Sequence, residues 1–157
     1  MVSPELQTRL VESARETLGV PWMHMGRWKI NGHPGIDCAG LLAWMFYRLE
    51  IEYIDHKGRY SPFPDGHTLI NLIRKNAVVE IDPADAGPGT IIIFCMSRKP
   101  GGDERPMHCA VLSGLNPRYM IHAINKRGVM KSCENRVIDR IWENVTHAFD
   151  FDERRVG

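Results

Sequence analysis

The stretch "GIDCAGLLAWMFYRL", residues 35–49, decides the fold of this chain. It predicts an amphipathic helix from about Asp37 to Leu49, with Leu41 and Met45 on its apolar side. A cysteine inside a core helix is usually a small buried hydrophobic residue. Cys38, however, lies in the first turn, where unpaired backbone N–H groups and the helix dipole favour a thiolate. The rest of the sequence shows whether a structural or a chemical role of Cys38 is favoured.

Length and composition indicate one ordinary globular domain covering residues 1–157. Twenty Lys and Arg stand against 19 Asp and Glu, so the net charge of +1 gives no reason to expect nucleic acid or an anionic membrane as a partner. The start, "MVSPELQTRLVESARETLG", lacks the layout of a signal peptide, and no apolar run approaches the roughly 20 residues of a membrane helix. We therefore expect synthesis in a cytoplasm, without membrane insertion and with free thiols.

Helices precede strands along the chain. A first helix is predicted after the cap Ser3 and ends before Gly19, and a third covers roughly 68–76. Four later segments have strand character, namely 90–96, 108–114, 119–124 and 145–151, with a weaker one near 128–131. This order predicts an α+β fold with N-terminal helices packed on one face of a central antiparallel sheet.

Two of the seven histidines, His108 and His122, lie on consecutive predicted strands joined by "GLNPR". A hairpin centred near Leu115 would place them opposite each other, and a shifted loop would leave them diagonal but within reach. We expect the first turn of the Cys38 helix to lie against their face of the sheet, with Cys109 buried on the other face. Cys38, His108 and His122 then form a candidate nucleophile, base and orienting group. Cysteine and histidine are also ordinary buried residues, so spacing alone leaves a structural reading open.

Five motifs in order extend this pattern over roughly residues 6–151: "PWMHMG" (21–26), "DCAGLL" (37–42), "PGTIIIF" (88–94), "HCAVLSG" (108–114) and "MIHA" (120–123). Together they resemble the NlpC family of papain-like cysteine peptidases, which cut peptidoglycan stem peptides. The resemblance implies a papain-like NlpC fold, a Cys38–His108–His122 triad and oxyanion donors among the backbone N–H groups at the helix start. It implies no metal and no cofactor.

The resemblance also implies substrate-binding positions around the nucleophile: Trp22, His24, Asp37, Ala39 and Gly40. This chain departs from the family at two of them, because Ala39 replaces the usual serine and Trp22 the usual tyrosine. Both changes bear on substrate specificity rather than on the triad.

A branch of the family associated with phage tail tips and gene-transfer particles is the closer match, through "HMGR" (24–27) and "YSPFPDG" (60–66). It implies a tail-associated endopeptidase that acts at the cell wall or periplasm beside other tail-tip proteins. The default bond is the γ-D-glutamyl–diamino acid bond of the stem peptide.

Three alternatives remain. The domain could be a catalytically silent structural tail-tip subunit, or a thiol amidase or acyltransferase on the same scaffold. A metal site built from His24, His33 and Cys38 is disfavoured by its irregular spacing.

Overall fold

The computed structural model describes residues 2–30, 32–55, 66–95 and 107–156. Most of the "YSPFPDG" motif, residues 60–65, lies outside this part of the chain. The helices are α1 Pro4–Arg15, α2 Cys38–Arg48, α3 Gly66–Arg74 and the short α4 Asp139–Trp142. The strands are β1 Val78–Ile81, β2 Ile91–Cys95, β3 Met107–Leu115, β4 Arg118–Ala123, β5 Ser132–Arg136 and β6 Val145–Phe151.

The strands form a six-stranded sheet in the order β1-β6-β2-β3-β4-β5, and every neighbouring pair is antiparallel. The larger of two apolar clusters lies between one face of the sheet and the helices α1, α2 and α3. It contains Ile93 and Cys109 from the sheet and Leu10 and Leu41 from the helices. A smaller cluster covers the other face. The predicted α+β fold, with N-terminal helices on one face of an antiparallel sheet, is confirmed.

Local signals explain the first two helices. The Ser3 side chain accepts a hydrogen bond from the backbone N–H of Leu6 and Pro4 takes the first helical position, so α1 begins where the sequence predicts. Gly19, with φ of 84°, occupies the left-handed region in the turn that follows α1. No helix in the described part of the chain is long and apolar enough to cross a membrane.

The sequence misplaced one strand and missed another. The strand predicted near 128–131 is observed as β5, a few residues later, and β1 was not predicted. The β5 sequence "SCENR" is polar and half-exposed at an edge of the sheet, and β1 has only four residues. Neither therefore carries the apolar alternation by which strands are recognised.

Candidate active site

Cys38 is the first residue of α2, and Asp37 caps the helix. Asp37 has extended backbone angles, and its Oδ1 accepts a hydrogen bond from the N–H of Gly40 at 2.7 Å. The cap holds the first turn in shape and leaves the half-buried Cys38 at the positive end of the helix. The sequence placed the thiol there correctly.

An ion network centred on a buried arginine supports this cap. Arg27 is fully buried, and its Nη1 donates to Asp37 Oδ1 at 3.0 Å. The same guanidinium donates from Nε and Nη2 to the two oxygens of Asp55, each at 2.9 Å. Asp37 Oδ2 also accepts from the backbone N–H of Met25 at 2.9 Å. Both oxygens of Asp37 are thus bound within the protein, and its substrate contact stays a prediction.

The small residues that follow Cys38 are explained by close packing. Ala39 and Gly40 are buried, and a Cβ on Gly40 would lie 2.0 Å from the carbonyl oxygen of Gly26. A Cβ on Gly26 would in turn lie 2.4 Å from the carbonyl oxygen of Gly35. The loop before α2 therefore touches the helix backbone to backbone. This packing leaves the predicted substrate role of Ala39 and Gly40 untested.

The two histidines are diagonal neighbours on β3 and β4. Val111 lies opposite Ile121 and Leu112 opposite Met120, and the register shifts between Leu112 and Gly114. The prediction that the two histidines lie directly opposite each other was wrong, because the irregularity and a two-residue turn after Leu115 shift β4 along β3. The alternative, a diagonal pair, is confirmed. His108 Nε2 and His122 Nδ1 are 3.0 Å apart.

A third strand extends this pair. His122 Nε2 lies 2.9 Å from Oδ1 of Asn135 on β5, so that β3, β4 and β5 each contribute one member of a hydrogen-bonded row. His122 is buried. Burial and the charge of His108 lower its pKa from 6.5 to about 4, against the opposing effect of its hydrogen bond to Asn135. His122 is therefore neutral at pH values near 7.

The Cys109 thiol and the His108 imidazole are the two side chains beside Cys38 that act on its pKa. The hydrogen bond from Cys109, together with the hydrogen bond and charge of His108, lowers the pKa of Cys38 well below its usual value, although burial opposes this. The pKa of Cys109 is raised well above its usual value by its hydrogen bond to Cys38 and by burial. The two thiols therefore titrate as a pair, and Cys38 is the more acidic of them.

The face on which α2 lies corrects one expectation. Cys109 is fully buried in the cluster that contains the α2 residues, whereas the His108 ring contacts Phe94, which belongs to the cluster on the other face. The body of α2 therefore packs on the Cys109 face, and Cys38, in its first turn, is the residue of the helix that lies beside His108. Cys109 is on the opposite face from the histidines as predicted, but it lies beside Cys38 instead of serving only as core.

Trp22 and His24 lie in the loop between α1 and α2. Both are half-buried, and their ring planes are inclined by 24° with centroids 6.5 Å apart. Trp22 also packs against the larger apolar cluster, and the role of both residues in substrate binding stays a prediction. His33 Nδ1 accepts from the backbone N–H of Arg27 at 3.0 Å. Across residues 2–30, 32–55, 66–95 and 107–156, no group of three or more His, Cys, Asp or Glu is placed to hold a metal ion.

Sequence reasoning missed Asn135 and the contact between Cys109 and Cys38. The one available signal for Asn135 was a strand returning beside "MIHA" with polar side chains at alternate positions, Cys133 and Asn135. Because the strand was predicted a few residues too early, that alternation was not used. All four cysteines are free thiols, as predicted.

No protein-family model matches the chain, and neither does any curated protein. Among solved structures, a Staphylococcus aureus protein described as similar to a lipoprotein of the NLP/P60 family has a TM-score of 0.61 and 19% identity. NlpC2 and NlpC1 of Trichomonas vaginalis have TM-scores of 0.59 and 0.58, each with 20% identity. Each match covers 96% of this chain but only 42%, 49% and 46% of the respective neighbour. The chain thus has the NlpC fold and spans under half the length of these neighbours.

Proposed function

We propose that this chain is a cysteine peptidase domain that hydrolyses an amide bond in peptidoglycan stem peptides through Cys38, His108 and His122. One observation carries the proposal. Cys38 is the first residue of α2 and has His108 beside it, and Nε2 of His108 lies 3.0 Å from Nδ1 of His122; the direction of the Cys38 pKa shift agrees with this arrangement. A purely structural thiol would need neither a histidine partner nor a lowered pKa.

The proposed reaction is acyl transfer. The Cys38 thiolate attacks the amide carbonyl, and backbone N–H groups at the start of α2, including that of Cys38, stabilise the oxyanion. Protonated His108 gives its proton to the leaving amine. His108 then acts as the base for a water molecule that hydrolyses the thioester and regenerates the thiol. His122 keeps the His108 ring in place throughout.

The finer identity of the substrate rests on the sequence motifs. We propose the γ-D-glutamyl–diamino acid bond as the one cleaved, with Trp22, His24, Asp37, Ala39 and Gly40 nearest to the substrate. The segments "HMGR" and "YSPFPDG" support a phage or prophage protein that a tail carries to the cell wall, beside other tail-tip proteins.

The test is mass spectrometry of stem peptides and muropeptides after incubation with the wild type, with Cys38→Ala and with Cys95→Ala. Cys95 is a buried thiol at the end of β2 and serves as the matched control. We expect the same new fragment from the wild type and Cys95→Ala, and none from folded Cys38→Ala. A fragment from Cys38→Ala would refute the assignment. No fragment from the folded wild type would favour a structural tail subunit.

Substituting the two histidines one at a time should lower kcat by different amounts. His108→Ala removes the group that transfers the proton, whereas His122→Ala removes only its support. We expect a larger loss of kcat for His108→Ala, measured on the same stem peptide. Equal or reversed losses would mean that the two roles are exchanged.

A further inference from the structure

We propose that Asn135 is a positioning residue that holds the proton of His122 on Nε2 and thereby decides which nitrogen of His108 is left to exchange a proton with Cys38. The inference deepens the proposed function and rests on it for its kinetic consequences. Its structural content is a proton arrangement along the row His108–His122–Asn135, which can be measured without any substrate.

The arrangement starts at the oxygen of Asn135. Oδ1 is the atom that lies 2.9 Å from His122 Nε2, and it also accepts a hydrogen bond from the Cys133 thiol at 3.2 Å. An amide oxygen can only accept hydrogen bonds. The hydrogen between the two side chains therefore belongs to His122, on Nε2.

The proton position then propagates to His108. A neutral imidazole carries one N–H, so a His122 protonated on Nε2 has a bare Nδ1 that can only accept. That Nδ1 lies 3.0 Å from His108 Nε2, which must donate. The proton on Nε2 of His108 is thus held in place, and Nδ1 is the ring nitrogen left to exchange a proton with Cys38.

The sheet places Asn135 for this contact. Cys133 is directly opposite His122, and Asn135, two residues further along β5, lies on the same face opposite Met120. Glu134 between them points to the other face, where it pairs with Arg15 of α1 at 3.1 Å. One strand therefore offers both the positioning residue and a neighbouring position for a matched control.

The kinetic test uses Asn135→Ala and Asn135→Asp, with Glu134→Gln as the control. Without an acceptor His122 can carry its proton on either nitrogen, so we expect Asn135→Ala to lower kcat about 10- to 100-fold with little change in KM. Asn135→Asp keeps the acceptor but favours a positively charged His122, whose Nδ1–H opposes the N–H of His108. We therefore expect the acidic limb of its kcat/KM profile to move toward neutral pH. Glu134→Gln should follow the wild type.

Nitrogen-15 NMR of the histidine rings supplies the readout that a merely structural role would not move. We expect the His122 proton on Nε2 in the wild type and in Glu134→Gln, and a mixture of tautomers in Asn135→Ala. A wild-type His122 protonated on Nδ1, or an unchanged tautomer in Asn135→Ala, would overturn the proposal.

The two proposals fail in distinguishable ways. If the expected tautomers are found but the wild type cleaves no stem peptide, the proposed function is wrong and the role of Asn135 in placing the proton stands. If the wild type cleaves the peptide and Asn135→Ala matches it in both kinetics and tautomer, only the Asn135 proposal is wrong.

Discussion

Replacing His122 by asparagine should make the folded protein less sensitive to acid. His122 is buried, and its pKa is lowered from 6.5 to about 4 by burial and by the charge of His108. Between these two values the unfolded chain binds a proton that the folded chain refuses, so the stability of the wild type falls as the pH falls through this window. His122→Asn has no such proton to bind.

The magnitude follows from the two pKa values. Each pKa unit corresponds to about 1.4 kcal/mol, so the full effect well below pH 4 is about 3.5 kcal/mol. Going from about pH 7 to about pH 5 crosses most of the window and costs the wild type about 2 kcal/mol through this one group. The variant loses its hydrogen bonds at every pH, and that constant loss cancels when only the change with pH is compared.

The assay is urea denaturation of both proteins at the two pH values, followed by fluorescence or circular dichroism. The free energy of unfolding of the wild type should drop by about 2 kcal/mol more than that of His122→Asn. His147→Asn, which removes a half-buried histidine from β6, checks that the loss of an imidazole alone does not produce the difference. Equal drops in the free energy of unfolding of the wild type and His122→Asn would refute the reasoning, because His122 would then have the same pKa in the folded and the unfolded state.

Three further variants test the packing and charges around Cys38. Cys109→Ala removes the hydrogen bond that contributes most to the lowered pKa of Cys38, so the midpoint of iodoacetamide alkylation of Cys38 should move to higher pH. An unchanged midpoint would mean that His108 alone lowers the pKa. Gly40→Ala puts a Cβ 2.0 Å from a backbone oxygen and should lower the free energy of unfolding, measured by urea denaturation, by about 3 kcal/mol. The control Gly114→Ala, whose Cβ would have its nearest atom at 3.5 Å, should lower it far less. Similar losses in the two variants would contradict the close approach at Gly40. Arg27→Met leaves two carboxylates without their buried cation and should cost about 3–5 kcal/mol in the same assay, and a loss below about 1 kcal/mol would mean that the network contributes little.

The sequence by itself determined the parts of this protein that depend on local interactions. The cap Ser3, the apolar periodicity of residues 35–49 and the Asp37 cap act within one or two turns of chain, so both helices and the place of Cys38 could be predicted closely. The buried strands β2, β3 and β4 were equally readable, because their apolar runs are bounded by turn residues.

Only the tertiary structure decided how these pieces meet. The irregularity between Leu112 and Gly114 sets the register that makes the histidines diagonal, and one residue of shift leaves no trace in composition. The contact of Asn135 with His122 depends on β5, whose polar sequence carries only a weak strand signal and which pairs with the edge that β4 offers. The contact of Cys109 with Cys38 depends on which sheet face α2 covers, and that choice is made by the burial of residues far apart in the chain, which no local pattern encodes.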